Sequence, residues 1–351
     1  CQSDEPASTD ILSNEASLLA LEFVVEGKAY FPTIENLNLS FAEPLPYGTE
    51  ELLLVSLQLA PGASCDLQAG DRIAVEESPQ RIEVVSEDQR VRREYVLTIE
   101  VETEPNYEAL LFGPTSVSSC EVFANLEIGA FKVENNVWNA GGLAAGSYTQ
   151  CIYSYEKEDL SFWGWEWAYP NDAYGVNAYP QIIYGWKPWI ASSTTPKLPL
   201  KVGDINRLKV SYAVDVSRNN GSYNLAFDNW INSSSSINPQ NIQFEFMIWE
   251  DAHNLDPFGE FQGAVTTSNG VYHLYQGEPD WEPPGSNWTY LAFVRQGNRQ
   301  AGTVDIDELL TYLVEQGIVS AESYLASIEF GNEVGNSTGR TIVQEFVVEL
   351  E

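Results

Sequence analysis

The run Gln243-Phe244-Glu245-Phe246-Met247-Ile248-Trp249 restricts the possible folds more than any other segment of the chain. Side chains alternate across an extended strand, so Phe244, Phe246 and Ile248 point one way and Gln243, Glu245, Met247 and Trp249 the other. The first set is wholly apolar and belongs in a core. The second places one carboxylate in a row of amide, thioether and indole, which suits the floor of a sugar-binding cleft. The pattern calls for a sheet with one covered and one open face. A lone carboxylate needs a partner, and Gly331-Asn332-Glu333-Val334-Gly335 offers one.

The ten tryptophans, Trp138 to Trp288, all lie in the second part of the chain, and residues 17–103 contain none. In that first part Leu19–Val25, Leu53–Leu57 and Arg93–Val101 are β-rich runs, separated by turn signals at Pro44 to Gly48, Pro61-Gly62 and Ala69-Gly70-Asp71. Short strands without catalytic-looking clusters predict a small Ig-like sandwich over 17–103, most simply a spacer, with glycan binding as the alternative that the lack of tryptophan disfavours. Residues 104–116 read as a linker. From Val117 the chain is aromatic-dense and strand-like. One helix is predicted: Asp305-Ile306-Asp307-Glu308 has the spacing of a capping box, Leu309, Leu310, Tyr312 and Leu313 follow at helical intervals, and Gly317 stops it. The expected class is all-β, a jelly-roll sandwich over 117–351 with one helix packed on its outside.

A formal charge of -34, with only 17 Lys plus Arg in 351 residues, argues against nucleic acid and against electrostatic attachment to anionic lipid. A neutral polymer remains an easy partner. His253 and His273 are the only histidines, so a His-rich metal site is nearly excluded. No metal or cofactor is expected, and the protein is read as a monomer. Cys1 followed by a polar stretch resembles a bacterial lipoprotein after signal-peptide removal. The expectation is therefore a lipid on Cys1, a tether over 1–16 and a place on the outer membrane surface. Cys120 and Cys151 fall in one compositional region and can pair, whereas Cys65 reads as a buried free thiol.

Six segments, in order, resemble glycoside hydrolase family 12, the small jelly-roll endo-β-1,4-glucanases and xyloglucanases. They are Asn135-Asn136-Val137-Trp138, Thr149-Gln150-Cys151, Tyr179-Pro180 through Tyr184-Gly185, Tyr223 through Asp228 to Trp230, Glu245-Phe-Met-Ile-Trp249, and Tyr324 through Gly331 to Glu333. The resemblance covers roughly 117–351 and implies a Cys120–Cys151 disulfide. It also implies that Trp138 stacks on a glucosyl unit, with Asn136, Trp186, Met247 and Trp249 as further substrate-binding residues. Glu245 would be the nucleophile, Glu333 the acid/base and Asp228 the support of the nucleophile.

That assignment implies a retaining reaction on a β-glucan. Glu333 must then hold its proton near neutral pH, through the charge of Glu245 and partial burial. Two features depart from the family. Val334 and Gly335 follow Glu333 where Pro and an aromatic are usual, which removes a wall of the cleft. The segment 155–175, with Trp163, Trp165, Trp167 and Tyr174, matches nothing in the family and reads as able to widen or extend the groove. Xyloglucan is the expected substrate, with mixed-linkage glucan or cellulose as alternatives. A surface glycan-binding lipoprotein without activity is the competing reading, and it predicts missing carboxylates where this chain has Glu245 and Glu333.

Overall fold

The computed structural model describes residues 12–157, 160–173, 175–219, 221–279 and 288–351. Cys1 and Tyr174 lie outside them. The chain divides into two compact units, residues 1–106 and 107–351.

The first unit is a β-sandwich. One sheet runs Lys28–Tyr30, Leu18–Val25, Glu51–Leu59, Arg72–Ala74, and the other Thr33–Glu35, Asn38–Ser40, Arg92–Thr98, Gln80–Val85, Ser64–Cys65. Alternation explains the layers. Leu21, Phe23, Val25, Leu52 and Leu54 from the first sheet meet Leu39, Ile82, Val84, Tyr95 and Leu97 from the second. Cys65 is free but only half-buried, because it sits in a two-residue edge strand.

The second unit is also a two-sheet sandwich. Its six-stranded sheet runs Val117–Ser119, Thr149–Lys157, Leu160–Ala168, Thr338–Leu350, Leu208–Arg218, Ala301–Asp305. The larger sheet passes from Asn125–Ile128 through Phe131–Glu134, Gln181–Gly185, Tyr324–Gly331, Tyr223–Asn232, Ile242–His253 and Thr289–Arg295 to the hairpin of Gly270–Gly277 and Glu260–Thr267. Phe246 and Ile248 enter the shared core with Phe227, Phe330 and Phe293, as the alternation requires. Cys120 and Cys151 form a disulfide.

Three readings of the sequence are corrected. Trp163, Trp165 and Trp167 do share a face of one strand, but that face is the core, where each is at most 5% exposed. They do not extend a groove. Part of 104–116 is a helix, Tyr107–Leu111, rather than linker. Leu111 is fully buried against Tyr155, Phe162 and Ile342, which gives this apolar stretch a reason to order. The helix Ile306–Glu315 forms where predicted and buries Ile306, Leu309, Leu310 and Leu313, but the capping box does not close. Asp305 is taken by Lys209 Nζ at 2.6 Å and Asn269 Nδ2 at 2.8 Å, and Glu308 by the N–H and hydroxyl of Ser268. Charge-assisted tertiary partners outcompete the local cap.

A buried cluster ties the two sheets together. Glu250 is fully buried and accepts from Tyr212 Oη at 2.7 Å, Tyr272 Oη at 2.8 Å and the Arg299 guanidinium. Removing one partner of such a pair leaves an uncompensated buried charge. Glu250→Ala is expected to destabilise this unit by about 3–5 kcal/mol. Tryptophan fluorescence during urea unfolding reports only this unit, since every tryptophan lies within it. A loss under about 1 kcal/mol would contradict the role given to the cluster.

Candidate active site

The face of the larger sheet turned away from the core carries the carboxylates. On neighbouring strands Trp230 faces Glu245 and Glu245 faces Tyr290, and two residues along Asp228 faces Met247 and Met247 faces Ala292. Glu245 is half-buried, and its Oε2 accepts from Trp288 Nε1 at 2.9 Å. Glu333 lies two residues beyond the end of the Tyr324–Gly331 strand. Its N–H donates to Asn224 Oδ1 at 2.9 Å, and Asn224 Nδ2 donates to its carboxyl. Asn224 is held in turn by Asn332 Nδ2, which donates to its carbonyl at 2.7 Å. Asn332 Oδ1 accepts from Trp165 Nε1 at 2.8 Å and Thr341 Oγ1 at 2.6 Å. A chain of amides anchored in the core therefore fixes Glu333.

Burial sets the proton affinities. It pushes the Glu333 carboxyl up to about 7, against the opposing pull of the Asn224 bond, although part of the residue stays open to solvent. The sequence reading gave Glu245's charge a share in this; desolvation is what carries it. Asp228 is held well above the usual carboxylate range by burial first, then by the charges of Glu245, Glu329 and Glu333, with Lys187 opposing. Tyr290 is raised by burial and by the charges of Glu333, Glu245 and Asp228. These groups therefore lie within electrostatic range of one another. A carboxylate steadied by an indole N–H, near a carboxyl that keeps its proton to about neutral pH, has the two environments that glycosidic hydrolysis requires.

The other expected site residues divide. Met247 and Trp249 are 1% and 3% exposed, packed with Ala226, Tyr290 and Ala292, and Trp249 Nε1 contacts Met247 Sδ at 3.5 Å. They build the floor, and Trp249 has no free ring face for a sugar. Trp186 is half-buried beside Trp230 and Trp288 and donates to the Ile190 carbonyl at 2.9 Å. Asn136 is buried and its carbonyl accepts from Tyr179 N–H at 2.8 Å. Trp138 is 47% exposed and free to stack. Trp189, at 50%, stands edge-on to Trp230 with ring centroids 4.8 Å apart and offers a second platform.

Gly331 and Gly335 are required by close packing. A Cβ at Gly331 would lie 2.2 Å from the Pro180 carbonyl oxygen, and one at Gly335 2.1 Å from Ser222 Oγ. Sequence reasoning also gave no role to Asn224, Trp288, Glu134, Lys187 and Glu329. Only Glu329 left a signal, its shared parity with Glu333.

Residues 129–351, more than half of the chain, match the model of Glycosyl hydrolase family 12. The chain belongs to this family. As a family 12 member it is a glycoside hydrolase. Endoglucanase S of Pectobacterium parmentieri is 26% identical over 222 residues, covering 62% of this chain and 80% of that protein. Xyloglucan-specific endo-beta-1,4-glucanase 1 of Phytophthora nicotianae is 27% identical over 225 residues, covering 60% and 83%. Among solved structures, the native family 12 xyloglucanase from Bacillus licheniformis superposes with a TM-score of 0.61 at 26% identity. That match covers 67% of this chain and all of that one. The family match begins at residue 129, so the first unit lies outside it.

Proposed function

We propose that the second unit is a retaining endo-β-1,4-glucanase and that xyloglucan is its preferred substrate. One observation carries the mechanistic part. Glu245 and Glu333 both lie within electrostatic range of Asp228, in unlike environments, one steadied by Trp288 and one raised by burial to about 7. In the first step the Glu245 carboxylate attacks the anomeric carbon while Glu333 gives its proton to the departing glycosidic oxygen. In the second, Glu333, now a carboxylate, takes a proton from water, and the water oxygen displaces Glu245 with a second inversion. Asp228 orients Glu245, Met247 and Trp249 support the sugar from below, and Trp138 and Trp189 stack on flanking units.

The preference for xyloglucan rests on the relatives named for it and on Val334 and Gly335 after Glu333, which leave room beside the leaving group. Reducing-end release from xyloglucan, mixed-linkage glucan and carboxymethyl cellulose is expected to be fastest on xyloglucan. Nuclear magnetic resonance of the first product is expected to show the β-anomer. An α-anomer would overturn retention, and faster cleavage of unbranched glucan would overturn the preference.

The first unit serves as an Ig-like spacer, a reading supported by its two-sheet sandwich and by its lying outside the family match.

A further inference from the structure

Beside the proposed nucleophile lies a buried carboxyl that the mechanism above does not use. Glu329 is 1% exposed on the same face as the site. Phe227 faces Phe330 and Trp230 faces Ser327 on one register, which sets Asp228 opposite Glu329 on the adjacent strand. Side chains directly opposite in an antiparallel pair have Cβ atoms about 4.5–5.5 Å apart, so two carboxyls there can touch.

Their hydrogen bonding is incomplete in a matching way. Asp228 Oδ1 and Glu329 Oε2 are both buried, and neither has a donor among the described residues. The other oxygen of Glu329, Oε1, is occupied by Ser327 Oγ at 2.7 Å. Lys187 Nζ stands 3.9 Å from Oε2, beyond hydrogen-bond reach, and is engaged by Glu134, which also accepts from Gln181 Nε2 at 3.0 Å. Two buried acceptor atoms without donors, on side chains opposite each other across one register, call for a proton between them.

We propose that Glu329 is a positioning residue: one proton is shared between Glu329 Oε2 and Asp228 Oδ1, and this pair of carboxyls holds Asp228 against Glu245. The groups that face Glu329 account for its state. Asp228, Glu245 and Glu333 on the same face and Glu134 from the next strands are anionic when ionised. Lys187 is the one cation among them, and the hydroxyl of Tyr179 bonds to the neighbouring main chain. Burial, opposed by Lys187, raises Glu329 to about 7, in keeping with a retained proton. Asp228 then keeps a fixed orientation toward the nucleophile, and the pair places one negative charge beside it instead of two.

The inference rests on the role proposed for Glu245 and Asp228. Its test uses the full chain, with Glu329→Gln and Glu329→Met. The glutamine amide still donates to Asp228 at any pH, whereas methionine fills the space without a donor. Glu329→Gln is expected to keep kcat on the β-glucan within about threefold of wild type below pH 6, and Glu329→Met to lose about 100-fold in kcat with KM little changed. Above pH 7 the logarithm of kcat/KM is expected to fall with slope two in wild type, because Glu329 and Glu333 must both hold protons, and with slope one in Glu329→Gln.

Equal losses in the two variants, Glu329→Met within threefold of wild type, or a wild-type slope of one would each overturn the proposal. Infrared difference spectra of the wild type provide an arm that needs no turnover. Protonated buried-carboxyl absorption titrating near neutrality is expected from Glu329 and Glu333 together, and Glu329→Gln should lose the Glu329 share while Glu329→Gln combined with Glu333→Gln loses both. If wild type cleaves no β-1,4-glucan, the functional reading fails, while the infrared arm still decides whether Glu329 carries the proton.

Discussion

Glu245→Gln is expected to lower kcat on the preferred glucan by about 10³-fold or more, which is about 4 kcal/mol in the barrier at 1.36 kcal/mol per factor of ten. The amide is nearly isosteric, and its oxygen can still accept from Trp288 Nε1, so the floor and the stacking platforms stay in place. What disappears is the anion that forms the bond to the anomeric carbon. Affinity for the polymer should therefore survive while turnover does not, and binding measured by affinity electrophoresis beside the rate separates the two. Glu245→Ala adds a chemical check. Azide supplied in solution can occupy the vacated space and attack the same carbon, restoring part of the rate and giving a glycosyl azide of inverted configuration. Activity of Glu245→Gln within tenfold of wild type would remove Glu245 from the nucleophile's place.

The second large effect concerns protons. Glu333 donates only while protonated, and burial raises it to about 7. Activity is accordingly present below that value and is lost as pH rises through it, so kcat/KM should have a basic limb centred near 7. Glu333→Gln removes its share of the limb, leaving the slope of one that belongs to Glu329. It should also cost roughly 10²–10⁴-fold on a glucan, the range for general acid catalysis, and far less on an aryl glycoside whose leaving group needs no proton. A basic limb in Glu333→Gln as steep as in wild type would assign the titration to other groups. Stability shares the sign. A carboxyl raised in the folded state favours folding below its unfolded value near 4.5 and loses that contribution as pH climbs through about 7, at most about 3 kcal/mol for Glu333. Unfolding midpoints at pH 5 and pH 8 test this independently of any substrate.

Much of the site could be read from local pattern because strand parity is a short-range property. Glu245 and Met247 must share a face wherever the strand goes, and Phe246 and Ile248 must share the other. The helix at Ile306–Glu315 was equally legible from its apolar spacing. Its cap was not, because the partners that draw Asp305 and Glu308 away sit at Lys209, Asn269 and Ser268, distant in the chain. The residues that hold the carboxyls also escaped. Trp288 reaches Glu245 across 43 positions and Asn224 reaches Glu333 across 109, and no motif spans either gap.

By itself the sequence determined an all-β chain, the family of its second unit and the pairs of residues that share a strand face, since each depends on local alternation or on ordered motifs. Only the tertiary structure decided which face of the Leu160–Ala168 strand is the core. Trp163, Trp165 and Trp167 read equally well as a cleft wall until the second sheet covered them. It alone placed Glu329 opposite Asp228, and it alone gave Glu333 a proton near neutral pH. Burial depends on what packs above a residue from elsewhere in the chain, and desolvation, which sets these proton affinities, follows burial.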